Sequence, residues 1–363
     1  MEQYIKAFYR EKRIFLTGHT GFKGTWMSII LELLGAKVCG YSLPVNKGSF
    51  YQKAAPQIAL HVEGDIADSK KVLQAVEKFQ PEIIFHLASH SSLDGSMKIP
   101  DFILRTNLMG VVNVLEAARK TDSVKTVIVV TSDKCYDNKE TDTPYQESAP
   151  LGAKDPYSTS KVCQELLTKC YRETFFQNDV KRVAIASARA SNVIGGGDYN
   201  ISRLIPYLLE SYLLGKVPQI RNPKAVRPWQ DVLDVLEGYL LLGEKLYTSL
   251  LEEKNIDGPY NFGPDEDGFV TVEDITKLIG EQFKLYGKEV ADNLYTIQGK
   301  DRIKKETKIL KLDSTKAHKV LEWKSRMKLQ KTVRWTTNFV IWEKEGKPTG
   351  DLCRKQVTEY LKL

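Results

Sequence analysis

Two short clusters hold the side chains best suited to chemistry. Ser132-Asp133-Lys134 closes an apolar run, and Tyr157 and Lys161 follow within Tyr-Ser-Thr-Ser-Lys. A tyrosine four residues before a lysine on a helix puts both side chains on one face, about one turn apart. The ammonium favours the phenolate, so the tyrosine becomes a base able to deprotonate an alcohol while hydride leaves its carbon. Taken alone, such a pair reads as an exposed helical contact, and Ser132-Asp133-Lys134 as a strand-end cap with a solvated lysine. An upstream loop changes that balance. Gly18, His19, Thr20, Gly21, Phe22, Lys23 and Gly24 form Gly-x-x-Gly-x-x-Gly between an apolar strand and an apolar helix. The first glycine permits a tight turn, the second a close approach to a pyrophosphate and the third close helix packing, while the helix N-terminus supplies donors. Asp65 and Ile66, just past the third strand, stand where adenine is read in such folds, although taken alone they read first as a helix-capping turn.

These groups need a scaffold, and the first half of the chain describes one. Short apolar runs alternate with amphipathic stretches, the pattern of βαβ units around a parallel sheet covered on both faces. Strands are expected at 13–17, 37–41, 59–62, 82–86, 126–130 and 182–186, with helices at 22–34, 69–79, 101–120 and 157–175. The fold class is therefore α/β, a doubly wound parallel sheet. Beyond about residue 190, Gly195-Gly196-Gly197 and Pro206, Pro218, Pro223 and Pro228 break the pattern. A smaller C-terminal substrate-binding domain is expected over 191–363, beside a dinucleotide-binding domain over 1–190 that also reclaims about 226–255. The tail from Ser314 to Glu345 reads as amphipathic and helical, with Trp323, Trp335 and Trp342 as core.

Composition narrows the class. The chain has 363 residues, 42% of them apolar and 27% charged, enough for a sizeable core. No segment approaches the roughly 20 apolar residues of a membrane span, and the start of the chain lacks the pattern of a secretory signal. Cys39, Cys135, Cys163, Cys170 and Cys353 are scattered and the five histidines lack ligand spacing, so neither a disulfide framework nor a metal site is expected. A cytoplasmic protein is the expectation. The net charge of +7 is concentrated toward the C-terminus, where Lys300, Arg302, Lys304, Lys305, Lys308 and Lys311 alternate with acids and apolar residues. That favours a solvated face or nucleotide-phosphate steering over a nucleic-acid surface.

With Gly18 to Gly24, His86-Leu87-Ala88, Asn107 and Tyr157-x-x-x-Lys161 together, the chain resembles the extended short-chain dehydrogenase/reductases that act on nucleotide sugars. More narrowly, the glycine loop, Thr131 to Tyr136, Asn192 to Asp198 and Arg227-Pro228-Trp229-Gln230 resemble the CDP-glucose 4,6-dehydratase branch, over about residues 10 to 340. The resemblance implies a Rossmann sheet, NAD as cofactor and a closed redox cycle. Tyr157 takes the C4 hydroxyl proton as the C4 hydride leaves, a base removes the C5 proton, an acid releases the C6 hydroxyl as water, and the hydride returns to C6. It further implies Lys134 as base, Asp133 as acid, Ser132 on the C4 oxygen, and Leu87, Ala88 and Asn107 beside the cofactor. Asn192, Arg203 and Arg227 would grip the substrate, Arg227 at the pyrophosphate. A lysine serves as base only when neutral, a state that burial or the charge of Lys161 would favour. The product would feed surface polysaccharide (O-antigen) synthesis. Family members commonly dimerise through a four-helix bundle, here from helices 101–120 and 157–175.

Departures from the family pattern leave alternatives open. Ser89 to Ser96 replaces a loop that usually carries two arginines, where Asp94 and Gly95 now stand. Ser191 stands where glycine is usual, Asp231 where histidine is usual, and Lys305 where His-Glu-Ala would begin. The second strand ends Gly40-Tyr41-Ser42-Leu43-Pro44 with no carboxylate for a ribose 2′-hydroxyl, while His19 and Lys23 put polar or cationic groups in the loop, so NAD against NADP stays open. The alternatives are an epimerase, reductase or dehydratase acting on another nucleotide sugar, or a dinucleotide-binding regulator without catalysis.

Overall fold

The structure is a computed structural model that describes residues 2–91, 93–177, 182–288, 290, 293–297 and 309–363. The chain runs α1 (Glu2–Tyr9), β1 (Arg13–Thr17), α2 (Phe22–Leu34), β2 (Lys37–Ser42), α3 (Phe50–Ala54), β3 (Leu60–Glu63), α4 (Ser69–Phe79) and β4 (Ile83–His86). Next come α5 (Leu93–Lys98), α6 (Pro100–Lys120), β5 (Thr126–Val130), α7 (Pro156–Tyr171), β6 (Ala184–Ala190) and β7 (Asn192–Ile194). These are followed by α8 (Leu204–Leu213), β8 (Gln219–Ile220), β9 (Val226–Asp231), α9 (Val232–Leu251), β10 (Gly258–Phe262), β11 (Phe269–Thr271) and α10 (Val272–Leu285). The last elements are β12 (Thr296–Ile297), α11 (Thr315–Leu321), α12 (Leu329–Lys344) and α13 (Thr349–Leu361).

Seven parallel strands form the main sheet in the order β10-β6-β5-β4-β1-β2-β3. The order reverses between β1 and β4, the switch point where such sheets open a ligand crevice at their C-terminal ends. Successive side chains of a strand point to opposite faces, and the apolar runs use both. Ile14, Leu16, Ile83, Phe85 and Ile128 pack on one side with α2 and α9. Phe15, Ile84, Val127 and Val129 pack on the other with α4 and α6. A second apolar core lies among α8, α10 and α12 and the short strands β8 and β9. There β11-β9-β7 form a three-stranded sheet and β12-β8 a two-stranded one.

The expected fold class stands, with local differences. The third strand starts one residue later than expected, and the sixth runs Ala184–Ala190 rather than 182–186. The tail is helical in two pieces, separated where Glu322 takes a left-handed conformation (φ 57°) that ends α11, and a further helix, α13, follows. Trp323 is fully buried and donates Nε1–H to the Asp234 carbonyl at 2.9 Å, while Trp335 and Trp342 are half-buried against the same core. Lys300, Arg302, Lys304, Lys305 and Lys308 lie outside the described residues. Lys311 pairs with Asp142 at 3.3 Å.

Candidate active site

A cleft of about 1410 Å³ opens at the switch point. Its floor is the glycine loop between β1 and α2. Gly18 has a positive φ of 71°, and a Cβ there would stand 2.8 Å from the Ala88 backbone, so the loops after β1 and β4 can meet only through glycine. A Cβ on Gly24 would fall on the Gly18 carbonyl oxygen. Gly21 caps α2 without a side-chain bond and the first turn carries no acid, which leaves its N–H groups and positive dipole end for a pyrophosphate. Gly18, Thr20, Phe22, Ile66, Leu87 and Ala88 line this end, with Asp65 at the rim. Asp65 makes the turn foreseen for it, accepting from Ala67 N at 2.9 Å, while its carbonyl receives the Tyr41 hydroxyl.

Two loop side chains behave differently from expectation. His19 turns beneath the loop, fully buried over Gly40, with Nε2 2.7 Å from His61 Nδ1 and its ring edge-on to Tyr51. Burial and the neighbouring His61 push its pKa down to about 4, so it is a neutral packing residue and no anchor for a 2′-phosphate. Lys23 bonds the hydroxyl of the buried Tyr239 at 3.3 Å, and burial with the charge of Arg203 lowers it to about 8. At the end of β2, Ser42 bonds Thr20 at 2.6 Å, and the residues facing the cleft there, Tyr41 to Pro44 and Asn46, include no charged side chain.

The other end is built from β5 and α7. Asp155 caps α7 through the Ser158 N–H at 2.9 Å, and Pro156 starts the helix, which places Tyr157 and Lys161 toward the turn after β5. That turn is a single 3-10 turn, Asp133–Cys135, capped by the Ser132 hydroxyl. Ser132 Oγ donates to Asp133 Oδ1 at 3.0 Å, and Lys134 Nζ lies 3.3 Å from Asp133 Oδ2. Asp133 is buried, whereas about a third of the Lys134 side chain (36%) is open to the cleft. The Tyr157 pKa rises to about 12, because burial and the Asp133 charge outweigh the lowering effects of the Ser132 hydroxyl and Arg203. Lys161 moves the other way, to about 7, driven by burial and the charge of Lys23. Its Nζ bonds Ser89 Oγ and Gln164 Oε1, both at 2.9 Å, instead of the Tyr157 hydroxyl. The Lys161 ammonium thus makes no direct bond to the Tyr157 hydroxyl, and desolvation is the largest influence on both groups.

Beneath this turn lies a buried ionic network. Arg189 donates to Glu165 and the Tyr136 hydroxyl, both at 2.8 Å, and Glu165 also accepts from Thr131 and Ser187. It locks α7 to the strand ends that carry Ser132. Asn107 is fully buried and spends its amide on Ser160, His90 and Ser89, so it shapes the loop after β4 instead of facing the cleft.

Asn192, Arg203 and Arg227 all face the cleft from the opposite wall. Arg203 is held by Asp198 and Ser91, each at 2.8 Å, close enough to the centre to influence Tyr157 and Lys23. Ser89 and Ser91, from the altered loop after β4, and Arg221 also line the cleft. Arg221 stands exposed on the cleft wall, which Arg227 also lines. The departures acquire partners: Ser191 receives Gln230 Nε2 at 2.8 Å, and Asp231 is a buried helix cap. The side chain of Asp94 and all of Lys305 lie outside the described residues.

Residues 15–336 match the family model described as GDP-mannose 4,6 dehydratase. The chain is 37% identical over 364 residues to the CDP-glucose 4,6-dehydratase of Salmonella typhimurium, covering 98% of both. The crystal structure of UDP-glucose 4-epimerase from Thermotoga maritima with UDP-glucose superposes with a TM-score of 0.77 at 23% identity, covering 92% of this chain and 100% of that one. The Thermus thermophilus UDP-glucose 4-epimerase in complex with NAD gives 0.73 at 21%, covering 91% and 99%. These two likenesses bear on the fold. The match across residues 15–336 and the full-length likeness to the Salmonella protein decide the family: the chain belongs to the GDP-mannose 4,6-dehydratase family of extended short-chain dehydrogenase/reductases.

Proposed function

We propose that the chain is a nucleotide-sugar 4,6-dehydratase, a hydro-lyase that converts CDP-glucose to CDP-4-keto-6-deoxyglucose with NAD recycled within each turnover. The observation that carries this reading is the Ser132-Asp133-Lys134 turn facing Tyr157 in one cleft with a dinucleotide loop. An epimerase needs no acid and base beyond the tyrosine. The full-length likeness to the Salmonella CDP-glucose enzyme supports the nucleotide.

The wound glycine loop, the uncapped start of α2 and the apolar Ile66, Leu87 and Ala88 fit a dinucleotide, and the uncharged end of β2 suits NAD better than NADP. When bound, NAD⁺ supplies the hydride acceptor for C4 and the donor for C6. The chain's own residues do the proton work. Tyr157 takes the C4 hydroxyl proton with Ser132 on the same oxygen, and the resulting ketone acidifies C5. Lys134 in its neutral form removes the C5 proton, and Asp133 protonates the C6 hydroxyl so that water departs. Arg227 and Arg221 offer planar forks for the pyrophosphate, and Asn192 and Arg203 hold the sugar side.

In this reading residues 1–190 with α9 and β10 carry the cofactor, and most of 191–363 carries the sugar nucleotide. A second copy of the chain covers Phe102 and Met109 of α6 and Leu166 and Phe175 of α7 and its extension, exposed apolar side chains on two packed helices. The free thiols of all five cysteines suit a reducing compartment, the cytoplasm, and among the described residues no helix is long and apolar enough to cross a membrane.

The test is incubation with CDP-glucose and NAD⁺ in deuterated water, followed by mass spectrometry and NMR. Loss of water with one deuterium at C5 is expected. Unchanged CDP-glucose, with turnover of a UDP-, GDP- or dTDP-hexose, would move the specificity. No turnover of any of them would sink the reading.

A further inference from the structure

The Lys161 ammonium sits where a charge is hard to keep. Burial and the charge of Lys23 work against it, while Glu165, one turn along α7, and Cys135, at the turn after β5, work for it. His86, at the end of β4, feels the same cation, and burial with that charge pushes its pKa down to about 3, so it stays neutral. The Tyr157 ring centroid lies 5.8 Å from Lys161 Nζ. What touches the ammonium directly is a pair of neutral acceptors. Nζ donates to Ser89 Oγ, in the loop after β4, and to Gln164 Oε1 on α7, both at 2.9 Å.

Both acceptors are oriented by one further residue, Asn107. The Ser89 hydroxyl donates its single proton to Asn107 Oδ1 at 3.1 Å, so toward Lys161 that oxygen can only accept. The Gln164 amide donates Nε2–H to the Asn107 main-chain carbonyl at 3.0 Å, which turns its Oε1 to Lys161. Asn107 itself cannot flip, because its Nδ2 donates to Ser160 Oγ at 2.8 Å and to the His90 carbonyl at 3.2 Å, while its Oδ1 accepts the His90 N–H at 2.7 Å. Every link in this ring runs in the direction that demands a donor at Lys161.

We propose that Ser89 is a positioning residue for Lys161: with Gln164 it forms an acceptor pair, aligned by Asn107, that fixes the ammonium beside Tyr157 and holds it in its charged form. The inference deepens the dehydratase reading and rests on it only for the use made of Lys161. A neutral amine donates more weakly than an ammonium, and its lone pair meets no donor in this ring, so the arrangement favours the charged state. With two of its three hydrogens taken, the ammonium keeps one for Tyr157 or for a hydroxyl of the bound cofactor. The charge favours the phenolate, so activity is present below the Lys161 pKa and is lost as pH rises through it. Removing an acceptor of the charged form lowers that pKa and moves the loss to lower pH.

The experiment follows the pH dependence of Lys161 acetylation by trace acetic anhydride in the protein alone, read by mass spectrometry of the peptide that carries it. Wild type, Ser89→Ala and Ser89→Thr are compared. Loss of a hydrogen bond to a charged group is expected to lower the midpoint in Ser89→Ala by about one pH unit, tenfold in proton affinity, whereas Ser89→Thr keeps the hydroxyl and the wild-type midpoint. The alkaline limb of kcat/KM with CDP-glucose and NAD⁺ is expected to move down by the same amount in Ser89→Ala. Equal acetylation midpoints in wild type and Ser89→Ala would overturn the proposal. So would a crystal structure of the wild type with NAD⁺ in which Lys161 Nζ lies beyond hydrogen-bond reach of Ser89, a measurement that needs no variant to fold. If the wild type turns over no nucleotide hexose, the dehydratase reading fails while the acetylation midpoints still decide the role of Ser89.

Discussion

Asp231→Asn should stabilise the protein, and more so the higher the pH. Asp231 is buried at the start of α9, where Oδ1 accepts the Leu233 N–H at 2.8 Å. Burial, reinforced by the nearby Asp234, lifts its pKa from 3.8 to about 7. The native state therefore holds a proton that the unfolded chain has released between about pH 4 and pH 7. Across that window stability falls as pH rises, and above it the whole cost persists. At about 1.4 kcal/mol per factor of ten, the rise corresponds to about 4 kcal/mol at pH 8 and about 1.5 kcal/mol at pH 5. Asparagine keeps a capping oxygen for Leu233 and removes the titration. Urea unfolding followed by tryptophan fluorescence should show Asp231→Asn more stable by several kcal/mol at pH 8 and by a smaller margin at pH 5, with unchanged slope. A gain independent of pH, or a loss at pH 8, would refute the reasoning.

Gly24→Ala should abolish NAD binding in a titration, because its Cβ falls on the Gly18 carbonyl and the loop must unwind. Glu165→Gln leaves Arg189 as a buried charge without its carboxylate and should cost about 3–5 kcal/mol in chemical unfolding. Replacing exposed Leu166 with aspartate should shift the light-scattering mass from dimer to monomer, with no loss of helix by circular dichroism.

What the sequence made legible was whatever repeats locally. The apolar runs of β1, β4 and β5, the glycine spacing and the four-residue step from Tyr157 to Lys161 each follow from nearest neighbours along the chain. What it hid depends on distant partners. Lys23 ends against Tyr239, 216 positions away, and Arg203 is held by Ser91 across 112. Neither distance leaves a period to read. The family resemblance put Asn107 beside the cofactor, but Ser89, His90 and Ser160, 17 to 53 positions away, take up its amide. The direction of the Tyr157 and Lys161 pKa shifts was equally invisible, since burial is a property of the packed site.

The order of the main sheet has a consequence for synthesis on the ribosome. β6 ends at Ala190, but its neighbour β10 begins only at Gly258. At 5–20 residues per second, the nascent sheet waits roughly 3–14 s with the hydrogen-bonding edge of β6 unpaired. An open apolar edge is a template for other strands, so a ribosome that stalls between these two points releases an aggregation-prone fragment, and translation speed across residues 190–262 becomes a determinant of yield.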